Sequence, residues 1–88
     1  MEFRVMDEAV VLEGRGLALL VNEGDTLPFA PGCVIRDARG HVHAVEAVVR
    51  EDDVICLYIR NADADYFGRL LRNVLLDATH FTLLAQEG

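Results

Sequence analysis

Short apolar segments separated by turn-forming residues run along most of this chain, which is the pattern of many short β-strands. The turn signals recur about every 8–12 residues, as they do in small barrels and sandwiches. We therefore predict an all-β fold, a small closed or nearly closed antiparallel barrel of about six to seven strands. The predicted strands lie at 10–12, 17–21, 33–35, 42–49, 54–59, 74–76 and 81–84.

One stretch has helical rather than strand periodicity. Phe67, Leu70, Leu71 and Val74 lie three or four positions apart, and Asp63 precedes them as a plausible N-cap. This spacing predicts a short helical segment near residues 63–71.

Glycines mark the sharpest predicted turns. Gly40 ends a turn signal at 37–40, where glycine is free to take a positive φ. Gly14 and Gly16 flank Arg15 between the first two predicted strands. We expect these glycines to permit a corner or bulge between strands, with Arg15 bracing it through hydrogen bonds to carbonyl groups.

Length and charge restrict the class of protein. The 88 residues show no repeat or linker, so residues 1–88 are expected to form one domain, and 52% hydrophobic residues indicate a globular chain. The formal charge of −7 disfavours free nucleic acid and anionic membranes as partners and favours a basic protein. No apolar run is long enough to cross a bilayer and no secretion signal is seen, so we expect a cytoplasmic protein.

The residue inventory also excludes several chemistries. All eight basic residues are arginine, and the chain has no serine, which removes serine nucleophiles and lysine Schiff bases. Cys33 and Cys56 are interpreted as buried thiols, since neither has a local basic partner. We expect no catalytic residues and no cofactor.

His41 and His43 are the motif that most suggests a metal site. At positions i and i+2 of a strand, both imidazoles would share one face and could hold one zinc ion. A zinc site needs three or four ligands, and the other donors have no recognised spacing. The favoured interpretation is two polar residues on the solvent face of a hairpin, and a metal-dependent enzyme stays an alternative.

Taken in order, the elements resemble the second domain of translational GTPases, the β-barrel typified by elongation factor Tu. The resemblance rests on short motifs that cover nearly the whole chain. They are Phe3-Arg4-Val5, Asp7, Val10-Val11-Leu12, Gly14-Arg15-Gly16, the strand 17–21, Gly24, Gly32 before Val34-Ile35, Val45-Glu46 and Arg72-Asn73-Val74-Leu75.

The resemblance implies a binding module without catalysis, because the GTPase domain and its nucleotide-binding loops are absent from these residues. In that family the glutamate of the Val-Glu motif helps to hold the aminoacyl end of tRNA, which here corresponds to Glu46. The aromatic and basic residues that follow it in the family are replaced by Val48 and Val49. Stacking and charge are therefore missing from an RNA contact at this position.

A protein partner or self-association is consequently the expected function. The alternatives are a contact with RNA or the translation machinery through the barrel face, and a small acidic inhibitor or immunity-type protein. Arg69 and Arg72 lie one helical turn apart and could clamp an anion, although ion pairs with nearby acids are the favoured interpretation. Tyr66 and Phe67 form a candidate hydrophobic patch, in which one ring is expected to anchor the helix to the barrel and the other to stay exposed for a partner. The candidate partner-binding residues are Glu46, Tyr66, Phe67, Arg69 and Arg72.

Overall fold

In the described part of the chain, six antiparallel strands close into a barrel and one short helix packs against it, which confirms the predicted all-β barrel. The structure is a computed structural model, and it describes residues 1–12, 16–22, 29–51, 53–73 and 75–86. The elements are β1 (Glu2–Leu12), β2 (Gly16–Asn22), β3 (Cys33–Arg36), β4 (Val42–Glu51), β5 (Val54–Ile59), α1 (Ala64–Leu71) and β6 (His80–Gln86). Around the barrel the strand order is β1-β2-β5-β4-β3-β6, and β6 returns to pair with β1.

Alternating residues on each strand fill the barrel interior. Leu19, Ile55 and Leu57 are fully buried, and Leu19 lies directly opposite Leu57 in the β2–β5 register. This alternation follows from the pleat of a strand, which sends successive side chains to opposite faces. Register shifts in β1 between Val5 and Ala9, and in β4 between Val45 and Ala47, interrupt the pairing as β-bulges do.

The helix forms where the periodicity predicted it. Oδ1 of Asp63 accepts hydrogen bonds from the backbone N–H groups of Asp65 and Tyr66, at 3.0 and 3.2 Å, and so caps α1 as expected. The apolar face of α1 buries Phe67, Leu70 and Leu71 in the core. The helix therefore contributes to the same core as the strands.

The predicted strand at 74–76 is wrong for its described residues, Leu75 and Leu76, which lie in a series of turns. Asn73 Oδ1 accepts a hydrogen bond from the Leu75 N–H at 3.0 Å, and the Ala78 N–H donates to the Leu76 carbonyl at 2.8 Å. These local bonds satisfy backbone groups that a strand would have paired with a neighbour. Residue 74 itself lies outside the described residues.

The turn at 37–40 has the predicted form. The Gly40 N–H donates to the Asp37 carbonyl at 3.1 Å, and Gly40 has a φ of 90°, in the left-handed region that favours glycine. Gly16 also has a φ of 90°, at the start of β2. Gly14 and Arg15, the other residues of the predicted corner, lie outside the described residues, as does Gly24.

Candidate functional site

A buried carboxylate organises the turn between β3 and β4. Asp37 follows the last residue of β3, and its side chain has no solvent exposure. Its Oδ1 accepts hydrogen bonds from the backbone N–H groups of Arg39 and His41, at 2.9 and 3.0 Å. Aspartate is favoured in turns because its side chain can satisfy the backbone two residues further on.

The other carboxylate oxygen of Asp37 connects this turn to two further elements. Oδ2 accepts a hydrogen bond from His43 Nε2 on β4 at 2.8 Å and another from the Tyr66 hydroxyl on α1. An ionised carboxylate only accepts hydrogen bonds, so Nε2 is the protonated nitrogen of His43. Asp37, His43 and Tyr66 thus form a buried polar network, which we call the Asp37 cluster.

Two opposing effects act on the pKa of Asp37. Burial raises it, but hydrogen bonds from His43, Tyr66 and the turn backbone outweigh burial and lower the pKa below its ordinary value. The pKa of Tyr66 is raised, first by burial and then by its hydrogen bond to the Asp37 carboxylate. The cluster therefore holds an ionised aspartate and a protonated tyrosine over a wide pH range.

The prediction that both histidines are solvent-facing is wrong for His43. Its side chain is only 15% exposed, because the ring packs 4.7 Å from the buried Phe67 ring while Nε2 is hydrogen-bonded to Asp37. His41 is exposed, and its ring stands edge-on to Tyr66 at 5.6 Å. Among the residues that the structure describes, no group of three or more potential metal ligands comes together.

The two histidines border a shallow cavity of about 300 Å³ beside the start of α1. Asn61 lies at its edge with a φ of 53°, in the left-handed region that asparagine tolerates better than most residues. In the described part of the chain, no nucleophilic hydroxyl or thiol group lines this cavity besides the Tyr66 phenol. The Asp37 cluster is therefore best explained as a structural hydrogen-bond network that connects the β3–β4 turn to α1.

A second feature lies on the outside of the barrel, where three neighbouring strands carry apolar side chains on both faces. Leu20 of β2, Cys56 of β5 and Val49 of β4 lie side by side in one row across the sheet, and all are half-buried. Ala18, Tyr58 and Ala47 form the next row. Their positions alternate with interior residues such as Leu57, so they face outward.

We call this surface the apolar outer face. It also includes Val10 of β1 and Val54 at the start of β5, so its members are Val10, Ala18, Leu20, Ala47, Val49, Val54, Cys56 and Tyr58. Although Ala18 and Tyr58 are buried, they do not belong to the interior core cluster. A sheet face in contact with water is normally polar, so two apolar rows on the outside of the barrel depart from the usual pattern.

The opposite side of the barrel shows the ordinary pattern. Glu2 of β1, Thr82 of β6 and Arg36 of β3 lie in one row, and Arg4 pairs with His80 in the next. Arg4 also makes a two-pronged ion pair with Asp77, at 2.6 and 2.8 Å. The hydrogen bond from Arg4 lowers the pKa of Asp77.

The predicted partner-binding residues do not converge on one surface. Glu46 is exposed in the β4 bulge, next to Ala47 of the apolar outer face. Phe67 is 1% exposed, so it anchors α1 as expected for one ring of the pair but offers no surface to a partner. Tyr66 is half-buried, with its hydroxyl directed to Asp37 rather than to solvent.

The two arginines of α1 also differ. Arg69 pairs with Asp65 at 3.1 Å, one helical turn before it, which is the surface ion pair expected for such a spacing. Nε of Arg72 donates to the Gly68 carbonyl at 2.9 Å. The two guanidinium groups therefore do not form a joint clamp.

Sequence reasoning missed both the Asp37 cluster and the apolar outer face. Asp37 was recognised only as a turn residue, because its partner Tyr66 lies 29 positions later and no local pattern connects them. The outer face did leave a signal, since the apolar residues of 54–59 are continuous rather than alternating. A continuous apolar strand is the pattern of a sheet buried on both faces.

The cysteines follow the same division between inside and outside. Cys33 is fully buried, as predicted, whereas Cys56 is half-buried on the apolar outer face, and both are free thiols. Two effects raise the pKa of the Cys56 thiol: partial burial is the larger, and the negative charge of Glu51 is the smaller. The prediction of a buried thiol is therefore wrong for Cys56, because its strand is apolar on both sides.

Comparisons with protein-family models, with curated proteins and with solved structures find no match to this chain. Within the described residues, no helix has both the length and the apolar character needed to cross a membrane.

Proposed function

We propose that this barrel is a non-catalytic binding module that engages a protein partner through the apolar outer face. The observation that carries the proposal is the pair of apolar rows across β2, β5 and β4, on the side of the sheet opposite the core. The closed six-stranded barrel is compatible with the translation-factor second-domain type that the sequence motifs resemble. We propose that affiliation as well.

The accessible part of the apolar outer face includes the row of Leu20, Cys56 and Val49, which are each half-buried, whereas Ala18 and Tyr58 of the next row are already buried within the chain. With a polar rim around it, this face fits an interface of the smaller, reversible class.

The charges around the face define the chemistry of the partner. Glu46, Glu51 and Asp53 are exposed at its β4 and β5 edges, and the whole chain has a formal charge of −7. Exposed carboxylates around an apolar centre favour a partner with apolar residues at its centre and arginine or lysine at its rim. This arrangement would also disfavour an anionic partner such as free RNA.

The proposal can be tested with a matched pair of variants. Val49→Arg places a charge in the half-buried row that Val49 forms with Leu20 and Cys56. Thr82→Arg places the same charge at a half-buried outward position on the polar side of the barrel. Tagged wild-type protein and both variants would be incubated with extract of the source cells and their captured proteins compared by mass spectrometry. The captured partner would then be purified, and its affinity for the wild type and for each variant would be measured by calorimetric titration.

We expect one stoichiometric basic protein to be retained by the wild type and by Thr82→Arg and to be lost from Val49→Arg. Capture of the same proteins by all three chains would refute binding through this face. Retention of RNA that disappears with nuclease would instead support the alternative of an RNA contact. A captured basic toxin would assign the inhibitor function, and a captured translation factor would support the proposed affiliation.

A further inference from the structure

A separate cavity of about 840 Å³ opens at the end of the barrel between β1, α1 and the turns that follow the helix. It lies away from the row of Leu20, Cys56 and Val49, and none of those three residues lines it. Its volume falls within the range of about 300–1,000 Å³ that is usual for small-molecule sites. The cavity therefore calls for its own explanation.

One part of the cavity lining, which we call its floor, is apolar. Val11, near the end of β1, is 62% exposed there although its neighbours Leu17 and Leu71 are almost fully buried. The apolar lining residues are Ala9, Val11, Leu17, Leu71, Leu76 and Ala78. An exposed valine beside buried leucines leaves room for a hydrocarbon group that would remove it from water.

A glycine of the helix makes room for the Arg72 guanidinium beside this cavity. Gly68 lies in the middle of α1 and lines the cavity, although glycine is unfavourable at such a position compared with alanine. A Cβ atom added there would approach one nitrogen, Nη2 of Arg72, to 3.3 Å. An alanine at this position would therefore press on the Arg72 guanidinium.

Several polar groups around the cavity already have partners within the chain. Arg4 holds both Asp77 and Thr79, at 2.6 to 3.1 Å, and Asn73 Oδ1 accepts a hydrogen bond from the Leu75 N–H. These groups offer little to the amides of a peptide. A hydrocarbon chain needs no such partners, so the lining favours an acyl chain over a peptide.

Arg72 supplies a positive charge at the cavity wall. In the described part of the chain, Asp77 is neutralised by Arg4 and Asp65 by Arg69, while Arg72 has no carboxylate partner. A guanidinium group binds a carboxylate through two parallel hydrogen bonds. One nitrogen, Nε, is held by the Gly68 carbonyl, which leaves the terminal nitrogens for a ligand.

We infer that this cavity binds a small carboxylic acid with an acyl chain, the chain on the apolar floor and the carboxylate on Arg72. The inference does not depend on the proposed function, because the two use different surfaces of the barrel.

The test titrates the full chain with decanoate as the probe. Binding is measured from the shifts of backbone amide signals in ¹⁵N-correlated spectra. Decanol is the neutral control for the hydrocarbon chain alone. Arg72→Gln removes the proposed anion partner, and Arg69→Gln removes a neighbouring arginine of the same helix that does not line the cavity. Gly68→Leu fills the space beside Arg72 and tests the floor of the site independently.

We expect decanoate to shift the amides of residues 9–11, 68–72 and 76–79, with an affinity that falls about tenfold or more in Arg72→Gln and changes less than about twofold in Arg69→Gln. Gly68→Leu should block both decanoate and decanol. Equal losses in the two arginine variants, or equal binding of decanoate and decanol, would overturn the role of Arg72. Amide shifts confined to other residues would show that decanoate does not bind in this cavity. Tighter binding of N-acetyl-leucyl-leucine than of decanoate would show that the cavity prefers the carboxyl terminus of a peptide to an acyl chain.

Discussion

The Tyr66 hydroxyl on α1 donates a hydrogen bond to the buried carboxylate of Asp37, at the end of β3 and 29 positions earlier in the chain. The same carboxylate accepts hydrogen bonds from His43 and from two backbone N–H groups of its own turn. One side chain therefore fixes a turn, a strand and the helix relative to one another. Buried polar networks of this kind are costly to disrupt when any member loses its partner.

Tyr66→Phe should therefore lower the free energy of unfolding by about 1–3 kcal/mol, because Asp37 loses a donor inside the protein. Tyr58→Phe is the matched control, since it removes a hydroxyl from the outer face without touching the Asp37 cluster. Its effect should stay within about 0.5 kcal/mol. Urea unfolding followed by far-ultraviolet circular dichroism measures both, and equal effects would argue against the structural role of the cluster.

The pH dependence of stability should carry the signature of Asp37. Because its pKa is lower in the folded protein than in the unfolded chain, its stabilisation is complete above the unfolded value of about 4 and is lost as the pH falls through the folded value. Asp37→Asn should be less stable than the wild type at pH 7, and the difference should shrink at lower pH. A difference that stays constant down to acid unfolding would contradict this linkage.

At alkaline pH the stability should depend on pH in the opposite direction, because a raised pKa is involved. The pKa of Tyr66 is raised in the folded protein, so its contribution is complete below the unfolded value of about 10 and is lost as the pH rises through the folded value. Spectrophotometric titration of the native protein, with Tyr66→Phe as the reference, should show that this tyrosine ionises above the ordinary range. Ionisation near pH 10 would mean that the phenol is not bonded to Asp37.

The N-cap of α1 offers a separate test. Asp63→Ala should lower the free energy of unfolding by about 1 kcal/mol, because the N–H groups of Asp65 and Tyr66 lose their acceptor. Asp63→Asn retains an acceptor oxygen and should cost much less. Thermal unfolding of the two variants side by side distinguishes the cap from the charge of Asp63.

The two cysteines should react differently with a chromogenic disulfide reagent. Cys33 is fully buried and should react only on unfolding, whereas Cys56 is half-buried and should react in the native state. Because the pKa of Cys56 is raised, the reaction should be slow at neutral pH and accelerate as the pH increases. Cys56→Ala should abolish the native reaction, and a partner on the apolar outer face should protect the wild-type thiol.

Local features of the fold could be predicted from the sequence because their physical causes are local. The cap at Asp63, the helical spacing of Phe67 and Leu70, and the glycine turn at Gly40 each involve residues within a few positions of one another. The prediction failed at Leu75 and Leu76, where the side chain of Asn73 satisfies the backbone and replaces a strand with turns. A pair of leucines carries no information about that competition.

The candidate sites depend on contacts between distant parts of the chain, and this is why sequence reasoning recovered only fragments of them. Nothing near Asp37 indicates that a tyrosine from the helix will reach it. The two rows of the apolar outer face arise from a register among three strands, and only the continuous run at 54–59 gave a hint of it. Arg72 was selected as a possible anion ligand, but its separation from Arg69 follows from the partner that Asp65 provides.

The position of β6 has a consequence for how the chain is made. This strand lies between β1 and β3, which are both synthesised before it, and it pairs with both. Until β6 has left the ribosome, β1 and β3 each present an unpaired edge of backbone N–H and carbonyl groups, which is a template for association with another chain. The barrel can close only after β6 has emerged, so the nascent chain is exposed to aggregation through these two edges until that point.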